Sequence, residues 1–296
     1  MMEITIESGK YVIAVSGGID SMVLLDLLSG QSDLRLVVAH YDHGIRTDSP
    51  LDRQLVQEVA RKSGLVFVYD EGHLGSGTSE AVARKARYDF LHQTRKASGA
   101  RAIITAHHKD DMLETAILNI IRGTGRKGLS SLKSTDVIVR PLLHLSKQQL
   151  KDYANTQGLK WHEDSTNEDT RYFRNYVRHR VLDKFSAKDK DDLSGLIGRV
   201  GELNEEIDYL LMNHLHMQPA LDKLDRYWFT MLPHQVAREV MATWLRRHNV
   251  KDISTKMLDR LIVAAKTLQI DQKTDVDATH VLSIQKATIA LLPRER

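Results

Sequence analysis

The sequence predicts an α/β protein: a mostly parallel sheet with helices on both faces, followed by a smaller, mainly helical C-terminal domain with a terminal β segment. Three observations carry this. Between Tyr11 and Ile121, short apolar runs alternate with amphipathic helical stretches. After Arg122 the alternation breaks at Gly123, Gly125 and Gly128. From Lys188 long helical patterns lead to an alternating stretch around Val281–Leu292. Strands that alternate with helices argue for parallel pairing, with both sheet faces covered. At roughly 100–200 residues per domain, a chain of 296 residues forms one large domain or two smaller ones. The pattern change places them at 1–187 and 188–296.

The elements follow in order. Tyr11–Val15 is a continuous apolar run, as in a strand buried on both sides. Met22–Leu28 is a helix that Gly30 stops. Leu34–Ala39 is the second strand. Leu51–Lys62 sets Leu51, Leu55, Val56 and Val59 on one helical face. Leu65–Tyr69 is the third strand and Gly72–Gly77 a glycine-rich loop. Thr78 or Ser79 caps the helix Glu80–Ala97. Ala102–Thr105 is the fourth strand, and the helix Asp110–Ile121 follows it. Val137–Arg140 is a short strand, and Ser146–Gln157 a helix capped by Ser146. His162–Thr170 is polar and irregular, and Tyr172–Lys184 is a basic helix. Ile284 and Ile289 are apolar positions of the terminal β segment.

Hydrophobic residues make up 42% of the chain and charged residues 27%, an ordinary folded composition. Cysteine is absent. That excludes disulfides, a Cys-ligated zinc or iron–sulfur site, a thiol nucleophile and a persulfide carrier. No stretch approaches the ~18–20 apolar residues of a membrane span, and Met1–Lys10 lacks the apolar core of a signal peptide. A cytoplasmic protein without a membrane partner is expected. The net charge of +3 hides an uneven distribution. Arg122–Lys184 carries 13 Lys/Arg against 7 Asp/Glu, and Ser76–Arg101 carries 6 against 2. Basic charge gathered this way suits a surface facing phosphates. Two solvated helical faces would give the same counts.

The most informative stretch is Ser16-Gly17-Gly18-Ile19-Asp20-Ser21, which follows a strand and opens a helix. Such a turn presents backbone N–H groups to an anion. Gly17 and Gly18 allow positive φ and close backbone approach, and Ser16 and Ser21 add hydroxyls. Asp20 would repel a phosphate unless Mg²⁺ lay between them, which points to a metal-bound nucleotide. The Gly-Lys-Ser/Thr ending of a Walker A motif and the G-x-G-x-x-G spacing are both missing.

This stretch resembles the PP-loop of the N-type ATP pyrophosphatases, whose fold is adenine nucleotide alpha hydrolase-like. The resemblance implies that Ser16, Gly17, Gly18, Ile19, Asp20 and Ser21 bind ATP, with Mg²⁺ reached through Asp20. It implies cleavage of ATP between its α and β phosphates. Further stretches narrow the group. They are Tyr41-Asp42-His43-Gly44-Ile45-Arg46 with Ser49 and Asp52, the basic stretch Glu80–Tyr88, and His107–Thr115. Arg122-Gly123-Thr124-Gly125, Arg140-Pro141-Leu142-Leu143, Glu163–Asn167, and Arg174-Asn175 with Arg178 complete the series. In this order they are similar to the tRNA(Ile)-lysidine synthetase family, closely over about residues 10–182. The family departs from this chain at Met112, where it usually has Gln, and near Asp183, where it usually has Pro. The resemblance implies ATP-dependent adenylation of the C2 oxygen of the wobble cytidine in the CAU-anticodon isoleucine tRNA. The ε-amine of free L-lysine then attacks C2 and releases AMP. The resemblance puts Asp111 and Glu114 at the lysine-binding and adenylation positions.

The residue types suit that chemistry. Asp111 and Glu114 lie three apart, on one helix face. Paired carboxylates there can hold Mg²⁺, bind an ammonium or accept a proton, or simply be an acidic helix start favoured by the macrodipole. Arg84, Arg87, Arg174 and Arg178 are candidate phosphate contacts, because a guanidinium donates in pairs. Surface charge is the bland reading of each. Asp20, Asp111, Glu114 and Arg178 are therefore candidate catalytic residues. His43, Arg84, Arg87, His107, Arg174 and Asn175 are candidate substrate or tRNA contacts. His43, His107 and His108 lack a zinc-set spacing and read as loop-positioning groups. Tyr172, Phe173 and Trp161 could stack a flipped cytosine, although core packing suits Trp161 better.

Two rivals share the loop. A tRNA thiolase needs cysteines, which are absent. A small-molecule amide synthetase needs an ammonia source, and no amidotransferase segment is visible. The alternative kept open is another PP-loop adenylating ligase acting on RNA or on a small carbonyl acceptor. Residues 188–296 are expected to contact the tRNA, and a homodimer is left open.

Overall fold

The computed structural model describes residues 2, 4–44, 49–72, 75, 78–162, 173–213 and 223–294. Ile45, Arg46, Glu163–Asn167, Tyr172 and most of the stretch 73–77 lie outside the described residues. The chain divides into two compact units, Met1–Gly201 and Glu202–Arg296.

In the first unit, strand β1 (Gly9–Ala14) leads into helix α1 (Ile19–Ser29), and β2 (Leu34–Asp42) into α2 (Ser49–Lys62). Strand β3 (Val66–Glu71) leads into α3 (Glu80–Ser98). Strand β4 (Ala102–Ile104) leads into α4 (Lys109–Ile121) and the single turn α5 (Arg126–Leu129). Strand β5 (Ile138–Val139) precedes α6 (Lys147–Thr156). The five strands are parallel, in the order β3-β2-β1-β4-β5. Tyr11, Ile13, Leu36, Val38 and Ile104 pack on one face with Leu24, Leu25 and Leu28 of α1, Val56 of α2 and Leu150 of α6. Val12, Val37, Ala39 and Ile103 face the other side, against Leu91 of α3. With both faces covered, the strands read as unbroken apolar runs.

Strand order reverses at β1: β2 is added on one side and β4 on the other. Ligands bind outside the carboxyl ends of the strands at such a switch point. The ends of β1 and β4 are neighbours there, with Ile13 paired to Ile104.

Two departures from the sequence reading shape this region. The basic helix is α-helical only over α7 (Phe173–Tyr176), then forms a π turn at Val177–Val181 and a 3₁₀ turn at Leu182–Lys184. A π turn brings residues five apart onto one face. Val177 and Leu182 have that spacing, and both are buried with Leu113 and Leu118 of α4. Helix α8 (Ala187–Asn213) starts near the expected 187/188 boundary, but the two units part at Gly201/Glu202, within it. The reason is that Leu193 and Ile197 join the same apolar cluster as α4.

The second unit holds more β structure than one terminal segment. Strands β6 (Lys223–Asp225), β7 (Lys273–Asp275), β8 (His280–Ile284) and β9 (Thr288–Pro293) form an antiparallel sheet in the order β6-β9-β8-β7. Leu282, Ile284 and Ile289 pack on Phe229, Trp244 and Leu261. These three come from the helices α9 (Arg226–Met231), α10 (His234–Arg247) and α11 (Thr255–Thr267). Among the described residues, no helix is long and apolar enough to cross a membrane.

Leu113 is fully buried where α4, the π turn and α8 meet. Leu113→Ala is expected to lower the unfolding free energy by about 2–5 kcal/mol, measured by denaturant titration of the full chain.

Candidate active site

After β1 the chain turns through Ser16, Gly17 and Gly18 into α1. Gly17 has a φ of +96°, and a Cβ there would lie 3.1 Å from the Asp52 Cβ, so only glycine fits without strain. Ser21 Oγ accepts the Ser16 amide at 3.1 Å and donates to the Gly18 carbonyl at 2.8 Å. A brace holds the loop from outside. The His162 amide donates to the Gly17 carbonyl at 3.1 Å, and His162 Nδ1 lies 2.7 Å from Asp52 Oδ1. His40 is buried, and burial lowers its pKa, so the neutral ring donates from Nδ1 to the Val15 carbonyl at 2.9 Å. The Ser21 and Met22 amides both donate to the Gly18 carbonyl at 3.1 Å; the Ile19 and Asp20 amides open α1, the position in a helix that binds phosphate.

Asp20 Oδ1 and Oδ2 accept from Lys147 Nζ at 2.6 and 2.7 Å. Sequence reasoning missed Lys147. A signal was present: a lysine directly after the Ser146 cap opens a helix at the end where the dipole disfavours a cation.

Past β4, Thr105 Oγ1 lies 2.8 Å from His107 Nδ1. Burial pushes the His107 pKa down to about 3; Asp111 opposes this, and Arg140, Arg84 and Arg87 add to it. His107 is therefore neutral at pH 7. His108 is 4% exposed, with Nε2 3.7 Å from Asp20 Oδ2 and 3.4 Å from Asp111 Oδ2. Burial works against the Asp111 charge, but His108, His107, a hydrogen bond from the His108 amide and Arg174 outweigh it and lower its pKa. Asp110 accepts from the Lys147 amide at 2.8 Å and from Lys190 Nζ at 2.9 Å.

Glu114 is fully buried. Arg174 Nε donates to its Oε2 at 2.9 Å. Arg178 donates from Nε to Oε1 at 2.5 Å and from Nη2 to Oε2 at 3.1 Å. The same two guanidiniums lie 3.6 and 3.7 Å from Asp111 Oδ1. Burial opposes the Arg178 charge, yet Glu114, Asp111 and Asp20 raise its pKa. Asp20, Asp111, Glu114, Arg174 and Arg178 thus converge. The structure differs from the sequence reading at Glu114. Its oxygens are engaged by two arginines and do not form an open pair with Asp111.

A basic wall adjoins this centre. The Arg84 and Arg87 guanidiniums lie 4.9 and 5.6 Å from the Tyr88 ring centre. Burial, and then the charges of Arg84 and Arg174, lower the Arg87 pKa; Tyr88 opposes them. Arg140 is 8% exposed, its pKa lowered by burial, and its Nε has no hydrogen-bond partner among the described residues. Arg84, Arg87, Arg140 and Arg174 repel one another, and a bound anion relieves that repulsion. His43 packs edge-on to Tyr41 with centroids 5.0 Å apart, Asn175 is buried, and Trp161 packs against the core of the first unit. Met112 packs against the apolar cluster around Leu113.

Among the described residues, no group of three His, Asp or Glu could hold a metal ion. Mg²⁺ needs less, because it takes one or two carboxylates and completes its shell with water and substrate phosphates. Asp20 and Asp111, which both approach His108 Nε2, are the carboxylates that fit.

The sequence profile of the PP-loop domain matches residues 2–185. A tRNA(Ile)-lysidine synthase from Chlorobaculum tepidum is 33% identical over 226 residues, covering 71% of this chain and 68% of that protein. The chain belongs to the tRNA(Ile)-lysidine synthase family of PP-loop proteins. Synthases from Thermotoga sp. (strain RQ2) and Exiguobacterium sibiricum are 40% and 41% identical over 188 and 185 residues. Those matches cover 60% and 61% of this chain, which spans only 45% and 44% of those two relatives. In fold alone, the chain is similar to a U34-tRNA thiolase from Methanococcus maripaludis. That likeness has a TM-score of 0.53 at 17% identity, over 67% of this chain and 74% of that one. The matched span, residues 2–185, holds every residue of the centre described above except Lys190.

Two outcomes follow for the centre. Glu114→Gln leaves two arginines facing a neutral amide, and is expected to cost about 3–5 kcal/mol of unfolding free energy. His107 has a folded pKa of about 3, below the usual ~6.5. The unfolded chain therefore takes up a proton that the folded chain refuses, and stability falls as pH drops from about 6.5 towards 3. Melting curves between pH 7 and 4 should show a shallower loss for His107→Gln than for the wild type.

Proposed function

We propose that this chain ligates free L-lysine to C2 of the wobble cytidine of the CAU-anticodon isoleucine tRNA, converting ATP to AMP and pyrophosphate. The observation that carries this reading is that Asp20 of the phosphate loop and Asp111 both approach His108 Nε2, with the charges of Arg84, Arg87 and Arg140 acting on the adjacent His107. Family membership supports the same activity.

The chain's own groups supply the steps. The loop amides and the Ser16 and Ser21 hydroxyls hold the β and γ phosphates. Asp20 would hold Mg²⁺, which would neutralise phosphate charge. Lys147, which pairs with Asp20 in the free protein, is placed to turn to a phosphate oxygen. Arg178 and Arg174 lie where charge develops as the cytosine C2 oxygen attacks the α phosphorus and pyrophosphate leaves. Asp111, ionised at neutral pH, holds the lysine ammonium. Its lowered pKa suits it to that task better than to keeping a proton. One ammonium proton passes to water, the neutral amine attacks C2, and the C2–O bond breaks so that AMP departs with the C2 oxygen. Arg84, Arg87 and Arg140 take the RNA phosphates, with His107 neutral behind them. A tRNA substrate places the protein in the cytoplasm.

The test is incorporation of labelled lysine into an isoleucine tRNA transcript with ATP and Mg²⁺, alongside methionine tRNA and a transcript with uridine at the wobble position. Lysine is expected only in the isoleucine transcript, with one AMP and one pyrophosphate per lysine. Asp20→Asn and Lys147→Met should each lower kcat/KM by roughly 10²–10³-fold, the usual loss for one removed transition-state contact. ATP cleavage with another acceptor, and no lysine incorporated, would overturn the assignment and leave a different PP-loop ligase.

A further inference from the structure

The helix that carries Arg174 and Arg178 has a second, unused face. Phe173 and Tyr176 lie on it, 46% and 47% exposed. Their ring centroids are 6.2 Å apart and their planes 11° from parallel. Residues three apart share a helix face, and so do residues four apart. Arg174 and Arg178 form the face turned to Glu114, so the aromatic pair looks away from the carboxylates. Arg180 is exposed one turn on, and makes no ion pair among the described residues. The π turn at Val177–Val181 fixes this helix to α4 through Val177 and Leu182, so the pair stands on a rigid base.

We infer that Phe173 and Tyr176 form a stacking platform for an unpaired nucleobase next to the acceptor base, with Arg180 on its phosphate. Three physical points favour a base over other occupants. Sequence-specific RNA recognition works on unstacked bases, which lie on aromatic rings and guanidiniums. Two rings and one cation match one nucleotide in size and charge, whereas a protein partner needs far more area. The platform also shares its helix with the arginines of the reacting centre, which is where a flanking nucleotide must pass once the acceptor base is turned inward. This inference rests on the RNA substrate proposed above.

The probe is the isoleucine tRNA transcript with 2-aminopurine in place of the anticodon adenine, bound to the full chain. Base–aromatic stacking is strong enough that Phe173→Ala or Tyr176→Ala should raise the tRNA Kd and KM roughly tenfold, while the KM for ATP stays put. Fluorescence of the bound probe should differ between wild type and these variants. Tyr176→Phe should restore wild-type binding, and Tyr176→Leu, apolar but not planar, should not. A platform with a merely structural role would instead lower the melting temperature and leave tRNA KM and probe fluorescence alone, which overturns the inference. So would a rescue by Tyr176→Leu equal to that by Tyr176→Phe. A wild type that binds and modifies the tRNA, with variants that match it, removes the platform only. A wild type that does neither removes the functional reading, and the platform with it.

Discussion

A carboxylate with no access to water organises this centre. Glu114 is 0% exposed, and an unpaired charge there would cost several kcal/mol. Arg174 and Arg178, 60 and 64 residues further along, satisfy it with three hydrogen bonds. That requirement brings the basic helix against α4, and the apolar contacts of Val177, Leu182 and Ile197 with Leu113 and Ala116 hold it there. The consequence is chemical. Arg178 is drawn into the field of Asp111 and Asp20, and so to the end of the phosphate loop. In this account Glu114 acts through the arginines it fixes.

The opposite wall follows the same logic of compensated charge. Asp20 is matched by Lys147, and Asp110 by Lys190. A nucleotide entering such a centre exchanges partners with groups already in place. In the proposed reaction Lys147 would leave Asp20 for phosphate and Asp20 would be free to hold Mg²⁺, which keeps charge balanced. The basic wall is different. Arg140 is buried and Arg87 half-buried, beside other guanidiniums and with their charge disfavoured. Such a wall is stored attraction for an anion.

What could be read from the sequence, and what could not, divides along contact distance. The strands and helices up to α4 were legible because a parallel sheet covered on both faces leaves unbroken apolar runs. The phosphate loop was legible because only glycine fits at Gly17 and because the strand and helix around it are local. That Asp111 and Glu114 share one helix face, and Arg174 and Arg178 another, was legible from helical spacing, though not the burial of Glu114. The partners were hidden. Lys147 and Asp20 are 127 residues apart, and His162 and Asp52 are 110 apart. No local pattern reports such a pair. The π turn was hidden because Val177 and Leu182 become neighbours only at a spacing of five. Strands β6 and β7 were hidden because three residues are too few to show a period.

The central claim is that the cytosine C2 oxygen attacks the α phosphorus of ATP and leaves with AMP. An isoleucine tRNA labelled with oxygen-18 at the C2 oxygen of its wobble cytidine tests this directly, by mass spectrometry of the AMP released during lysine incorporation. The account predicts one oxygen-18 in each AMP and none in pyrophosphate. Unlabelled AMP, with the label kept in the RNA or lost to water, would contradict it.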